Sequence, residues 1–166
     1  MEVSGKAVVF GDNVNTDAII PGKYLTILDP VELAEHAMEG LDPDFAQKAE
    51  AGVIVVAGRN FGCGSSREQA PIALKHAGVK CVLAESFARI FYRNAINIGL
   101  PVLESLNVRN YVEEGDMVTV NLEEGEVVNK TKNHAVQALK LPDFILEILM
   151  NGGLIEHLRK RIGERQ

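Results

Sequence analysis

The 166-residue sequence contains no tryptophan, only two cysteines, and fewer basic than acidic side chains, 17 against 23. Each shortage excludes something. Cys63 and Cys81 do not form a C-x-x-C pair, and two thiols cannot build a thiolate metal centre alone. At this length the fold is expected to bury roughly 70% of the unfolded surface, so no disulfide staple is required either. A formal net charge of −6 argues against a general nucleic-acid binder. The longest apolar runs, such as residues 53–57, fall far short of the roughly 20 residues of a membrane span. Residues 1–6 show no basic region followed by an apolar core, so no secretory signal is predicted. The expectation is one cytoplasmic domain over residues 1–166 that touches neither nucleic acid nor membrane.

What is present is a strand–helix alternation in the middle of the chain. Val53-Ile54-Val55-Val56 is a continuous β-branched run, as parallel strands covered on both faces require. Residues 80–84 and 100–103 repeat that character. A helix is predicted over 67–77, stopped by Gly78, and another over 86–98, opened by Ser86 as cap and closed by Gly99. Towards the N-terminus, Val8-Val9-Phe10 reads as a short strand, and Asp29-Pro30 as the start of a helix running to Gly40. Asp42-Pro43-Asp44-Phe45 opens a further short helix. Short strands with a turn at Glu124-Gly125 occupy 116–138, and Pro142 opens a last helical region broken at Gly152-Gly153.

The densest polar segment is Gly58-Arg59-Asn60-Phe61-Gly62-Cys63-Gly64-Ser65-Ser66-Arg67-Glu68. It follows a buried strand and precedes a helix, where open α/β sheets place their ligands. Hydroxyls, backbone donors and an arginine fork together suit a small organic acid. Two other readings stand beside that one. Ser65-Ser66-Arg67-Glu68 also fits a capping box, in which the side chains merely satisfy helix donors. Alternatively Gly62 and Gly64, with Glu85 at the end of the next strand, resemble part of a nucleotide fingerprint, although Arg67 stands where its third glycine belongs. A second polar loop, 11–22, exceeds the usual connection length. Its Asp12, Asn15 and Asp17 suit Asx-turns as well as chemistry. His36, His76, His134 and His157 lie in unrelated segments without metal spacing and read as surface or packing residues.

Taken in order, Asn15-Thr16-Asp17, Lys23-Tyr24-Leu25, Gly62 through Glu68, and Ser86-Phe87-Ala88-Arg89-Ile90-Phe91-Tyr92-Arg93-Asn94 resemble one family over essentially the whole chain. It is the family of 3-isopropylmalate dehydratase small subunits, the LeuD-type swivelling domains of the aconitase superfamily. The resemblance implies an α/β fold of three layers, β/β/α, with a parallel central sheet and a second, antiparallel sheet. It implies a large partner subunit holding a [4Fe–4S] cluster, with none bound by this chain, so that Cys63 and Cys81 are not ligands. The reaction implied is a hydro-lyase isomerisation in leucine biosynthesis: water leaves a hydroxy-dicarboxylic acid and returns at the neighbouring carbon, with an open iron as Lewis acid.

Carried over by motif, Ser65 is the general base, Ser66 and Arg67 bind substrate carboxylate, and Asp17 helps to hold the substrate. Tyr24, Leu25, Thr26 and Ile27 form the loop that selects the substrate side chain. In one position the chain departs from part of the superfamily. Relatives that act on tricarboxylates carry arginine two residues after the tyrosine, where this chain has Thr26, followed by Ile27 and Leu28. An uncharged, apolar loop suits a branched alkyl group and fits aconitate or homoaconitate poorly; the alternative substrates are citramalate, dimethylmalate or, against that fit, homoaconitate. A nucleotide-binding domain and a non-catalytic acid-binding module are the expectations from other classes.

Overall fold

The computed structural model describes residues 1–165; Gln166, the last residue of the expected domain, lies outside the described residues. Seven strands form one hydrogen-bonded sheet: β1 (Glu2–Val9), β2 (Val53–Ala57), β3 (Val79–Ala84), β4 (Val102–Glu104), β5 (Met117–Asn121), β6 (Glu126–Asn129) and β7 (His134–Gln137), in the order β4-β3-β2-β1-β5-β6-β7. β1 to β4 run parallel, while β5, β6 and β7 are antiparallel. Helices follow as α1 (Thr16–Ile19), α2 (Pro30–Ala34), α3 (Phe45–Ala49), α4 (Gln69–Ala77), α5 (Arg89–Asn97), α6 (Asp143–Met150) and α7 (Leu154–Glu164).

Both sheet types expected of the fold are present, and β1 joins them. Its residues 2–6 pair antiparallel with β5, and its residues 6–9 pair parallel with β2, so Lys6 alone has partners on both sides. At the changeover the chains approach closely. A Cβ on Gly5 would stand 2.8 Å from the Gly52 carbonyl oxygen, which is why a side chain has no room there. β1 is longer than its apolar run Val8-Val9-Phe10 indicated. Ser4, Gly5 and Lys6 are poor strand formers, and only their pairing with residues more than a hundred positions away makes them one.

The central strands are dry. Every residue of β2 is buried, as are all of β3 except Lys80, and α4 packs between α2 and α5 against the sheet. Helix boundaries shift from expectation for identifiable reasons. α4 starts at Gln69 instead of Arg67, which puts Pro71 in the first turn, where no intrahelical donor is lost. α5 starts at Arg89, with Ala88 as its N-cap; Ser86 does not cap it, because the Ser86 hydroxyl accepts from the Asn60 N–H instead (2.8 Å). Asp29 does cap α2, accepting from the Val31 N–H at 3.0 Å. That helix ends at Ala34, well before Gly40. Fully buried Met38 takes a positive φ of 58° and donates its N–H to the Ile19 carbonyl (2.8 Å), so a tertiary contact replaces the next helical turn.

Candidate functional site

Because β1, β2 and β3 are parallel, their C-terminal ends lie on one edge of the sheet, and three loops leave from it. The loop after β1 is tied to the loop after β2 by the Asn13 N–H to the Arg59 carbonyl (2.8 Å), the Gly62 N–H to the Val14 carbonyl (2.7 Å) and the Thr16 N–H to the Cys63 carbonyl (2.8 Å). The loop after β3 joins through the Phe61 N–H to the Ser86 carbonyl (3.1 Å) and the Ala88 N–H to the Phe61 carbonyl (2.9 Å). Below them Phe61, Phe87 and Phe91 pack with ring centroids 5.2 to 6.2 Å apart. Gly62 crosses this aromatic floor at φ 83°; a Cβ there would fall 2.2 Å from the Phe91 ring.

Side chains complete the stitching. The Thr16 hydroxyl donates to the Ser65 carbonyl (2.7 Å). Arg67 Nη1 donates both to Asp17 Oδ1 (3.0 Å) and to the Ile20 carbonyl (2.9 Å). Asp17 Oδ1 also accepts from the Gly22 N–H (3.1 Å). The Arg67 hydrogen bond first, then that N–H, hold the Asp17 carboxyl below its ordinary value. With a depressed folded-state value, the tie to Arg67 is fully present above the ordinary carboxylate range. It is lost as pH falls through the lowered value. Asn15 acts as N-cap of α1, accepting from the Ala18 N–H (2.8 Å), and Asp12 accepts from the Arg59 N–H (2.8 Å) and from Arg109 (2.9 Å), so both fill the turn roles open to them.

Among the described residues, the backbone stitching stops at Ser65. The Ser65 and Ser66 hydroxyls are exposed and unbonded, and the backbone N–H groups of Ser65, Ser66, Arg67 and Glu68 have no partner. No capping box forms: the α4 N-cap is Glu68, without a side-chain bond, three residues beyond Ser65. A nucleotide fingerprint fails for the same reason. Its helix would begin at the glycine turn, whereas here Ser65 to Glu68 intervene, and Glu85 faces Arg59 (3.8 Å).

A cavity of about 290 Å³ opens beside this segment, bounded by Thr16, Ser66, Arg67, Arg89, Ile90 and Asn94. Two larger cavities of about 600 Å³ lie away from Ser65; one shares Arg89 with the small cavity, and the other runs along residues 4–8 of β1. Arg89 and Asn94 were not singled out as site residues from the sequence. They lie on a helix whose apolar spacing is its conspicuous feature, so only their position i and i+5 on α5, next to the cavity, reveals them. Tyr24 to Ile27 follow the 3-10 turn Gly22–Tyr24, which Asp17 anchors at Gly22, and do not line the small cavity. Among the described residues no group of three or more His, Cys, Asp or Glu side chains is placed to hold a metal. Burial pushes the Cys81 thiol far above its ordinary value. The residues present therefore do not fit an iron–sulfur cluster held by this chain.

The geometry separates two roles for serine. Ser65→Ala should change folding stability by no more than about 0.5 kcal/mol, as for an exposed side chain without a partner. Asn15→Ala, which removes a real cap, should cost about 1 kcal/mol. Urea denaturation of the two variants beside wild type reads the difference. A loss at Ser65 equal to that at Asn15 would restore the capping role.

A family model described as the aconitase C-terminal domain matches residues 42–107. The chain is 54% identical over 164 residues to the isopropylmalate/citramalate isomerase small subunit of Methanocaldococcus jannaschii, covering 99% of this chain and 98% of that one. It is 56% identical over 159 residues to the 3-isopropylmalate dehydratase small subunit of Halothermothrix orenii, with 96% of each covered. Among solved structures, the crystal structure of 3-isopropylmalate dehydratase (leuD) from M. jannaschii superposes with a TM-score of 0.94 at 48% identity, covering 99% of this chain and 98% of that one. Aconitase X of Thermococcus kodakaraensis, at 18% identity and a TM-score of 0.51 over 84% of this chain and 92% of that one, shares the fold. By near-full-length identity and by superposition, the chain belongs to the family of 3-isopropylmalate dehydratase small subunits of the aconitase superfamily.

Proposed function

We propose that this chain, as a single swivelling domain, completes the active site of a cytoplasmic hydro-lyase that interconverts 2- and 3-isopropylmalate, paired with a larger subunit. Its relatives' description as small subunits supports the larger partner. The iron–sulfur chemistry suggested by the aconitase relation is assigned to that partner, because the thiols here are two in number and one is buried. The observation that carries the reading is the free hydroxyl of Ser65, set in a row of unpartnered N–H groups.

In this reading Ser65 takes the carbon-bound proton of the substrate. Serine is a weak base in water, so its alkoxide must be stabilised. The oriented N–H groups of Ser66, Arg67 and Glu68 supply positive ends in the segment next to it. The Ser66 hydroxyl receives a substrate carboxylate. Arg67 contributes what its ties to Asp17 and Ile20 leave free, and Asp17 keeps it there. Tyr24, Leu25, Thr26 and Ile27 meet the substrate's alkyl group.

Anaerobic co-expression with its large subunit should give isomerisation of isopropylmalate, while the chain purified alone should hold no iron and show no turnover; iron–sulfur absorbance in the lone chain would sink the division of labour. In the assembly, Ser65→Ala should lower kcat by roughly two to four orders of magnitude with assembly intact, as loss of an acid–base group does. Normal turnover by a well-folded variant removes Ser65 from the chemistry. Selectivity has its own test. A tricarboxylate brings one more charge into the closed site, and without a cation its desolvation goes uncompensated. The isopropyl group gains on the order of 0.8 kcal/mol per buried CH₂. Thr26→Arg should therefore move the kcat/KM ratio towards homocitrate-type acids, since a guanidinium pairs bidentately with the added carboxylate. An unmoved ratio means that another segment selects.

A further inference from the structure

The segment after Tyr24 has no backbone hydrogen bond to the rest of the protein through Leu25 or Ile27. The Leu25 N–H donates to the Gly22 carbonyl (3.2 Å) and the Ile27 N–H to the Tyr24 carbonyl (3.0 Å), both within the segment itself. Thr26 is exposed and Leu28 is 94% exposed. Leu25 and Ile27 are partly buried against the core, and beside them the Tyr24 ring ties the segment to the body of the protein. It stacks on the His36 imidazole with centroids 3.7 Å apart and planes 8° from parallel. His36 Nδ1 lies 2.9 Å from Glu39 Oε2, with both side chains a little over a quarter exposed. Burial pushes the Glu39 carboxyl up, but the Tyr24 hydroxyl and the His36 ring outweigh this and hold it below its ordinary value. A carboxylate can only accept, so Nδ1 carries the proton and the ring orientation is set. The turn bearing His36 and Glu39 is itself pinned at Met38, whose N–H reaches the Ile19 carbonyl behind the site loop.

We infer that His36 and Glu39 are positioning residues for the selectivity loop 24–27: Glu39 orients His36, His36 clamps the Tyr24 ring, and the ring sets where the loop meets the substrate's alkyl group. This rests on the isopropylmalate reading above. A stack that served folding alone would affect stability and leave substrate discrimination untouched.

The test uses His36→Ala, His36→Phe and Glu39→Gln in the full chain, assembled with the large subunit and assayed on isopropylmalate and citramalate. His36→Ala should raise KM for isopropylmalate roughly tenfold with kcat within about twofold, and narrow the kcat/KM ratio between the two substrates. His36→Phe keeps the stack and should restore the ratio; Glu39→Gln should fall between. In the full chain alone, hydrogen exchange at the Leu25 and Ile27 amides should quicken roughly tenfold in His36→Ala, with Val55 and Leu83 unchanged. An unchanged substrate ratio, a fall in kcat without a rise in KM, or unaltered exchange at Leu25 and Ile27 overturns the clamp. Should His36→Ala not fold, the two volume-preserving variants decide: His36→Phe like wild type with Glu39→Gln raised in KM supports it, and any other pattern overturns it. Failure of the wild-type assembly to turn over isopropylmalate would fell the functional reading, while the exchange measurement, which needs no substrate, still decides the clamp.

Discussion

The parallel register of β1, β2 and β3 is the constraint on which the rest of the chain depends. It sends three loops out from one edge of the sheet, and loops that lie side by side must satisfy their backbone polar groups somewhere. Here they do so on one another, through the Gly62–Val14, Thr16–Cys63 and Phe61–Ser86 bonds. The aromatic floor of Phe61, Phe87 and Phe91 fixes their height above the sheet. A polar segment that would be mobile on its own becomes part of the scaffold. The stretch from Ser65 to Glu68 is where that mutual satisfaction ends, and it is also where the proposed chemistry sits. An unmet set of donors next to a rigid edge has a preorganised place for an anion without further rearrangement.

The sequence disclosed some of this and concealed the rest for physical reasons. β2, α4, β3, α5 and β4 could be read in order, because dry parallel strands and amphipathic helices leave strong local patterns. The first half of β1 was hidden, since Ser4, Gly5 and Lys6 become a strand only through β5, distant in sequence. Ser65-Ser66-Arg67-Glu68 looked like a cap because a capping box is defined by spacing alone, and spacing does not say where the helix begins. The same blindness made Ser86 look like a cap, when its hydroxyl serves the neighbouring loop. The candidate residues on the loops were legible as a set, through their resemblance to a family. Arg89, Asn94 and His36 were not, because what marks them is the surface they face.

Arg67 shows how structure revises a role without removing the residue. Read alone it is a free fork for a carboxylate. In place, Nη1 is spent on Asp17 and on the Ile20 carbonyl, so much of its function is to lash the loop after β1 to the approach of α4. Its side chain is mostly buried, whereas Asp17 is largely exposed, and the pair therefore has one protected end and one wet end. Screening by water weakens the exposed end, and the backbone bonds around it carry more of the load. The cation at the neighbouring cavity without an ion-pair partner among the described residues is Arg89, so the proposed carboxylate site need not rest on Arg67 alone.

The same exposure explains why the proposed base requires a partner. Ser65 faces water, and in a high dielectric the pull of nearby N–H groups on an alkoxide is weak. Water also competes for every donor in the row from Ser65 to Glu68. A surface that covers this edge would lower the local dielectric and remove the competing solvent, and each donor would then act at close to full strength on the charge that develops. The loops are already fixed relative to one another by their own bonds, so covering them costs little ordering entropy. In the proposed assembly, a second surface closing over this rim would complete the anion site, and loops already bonded to one another would let it close without rearranging them.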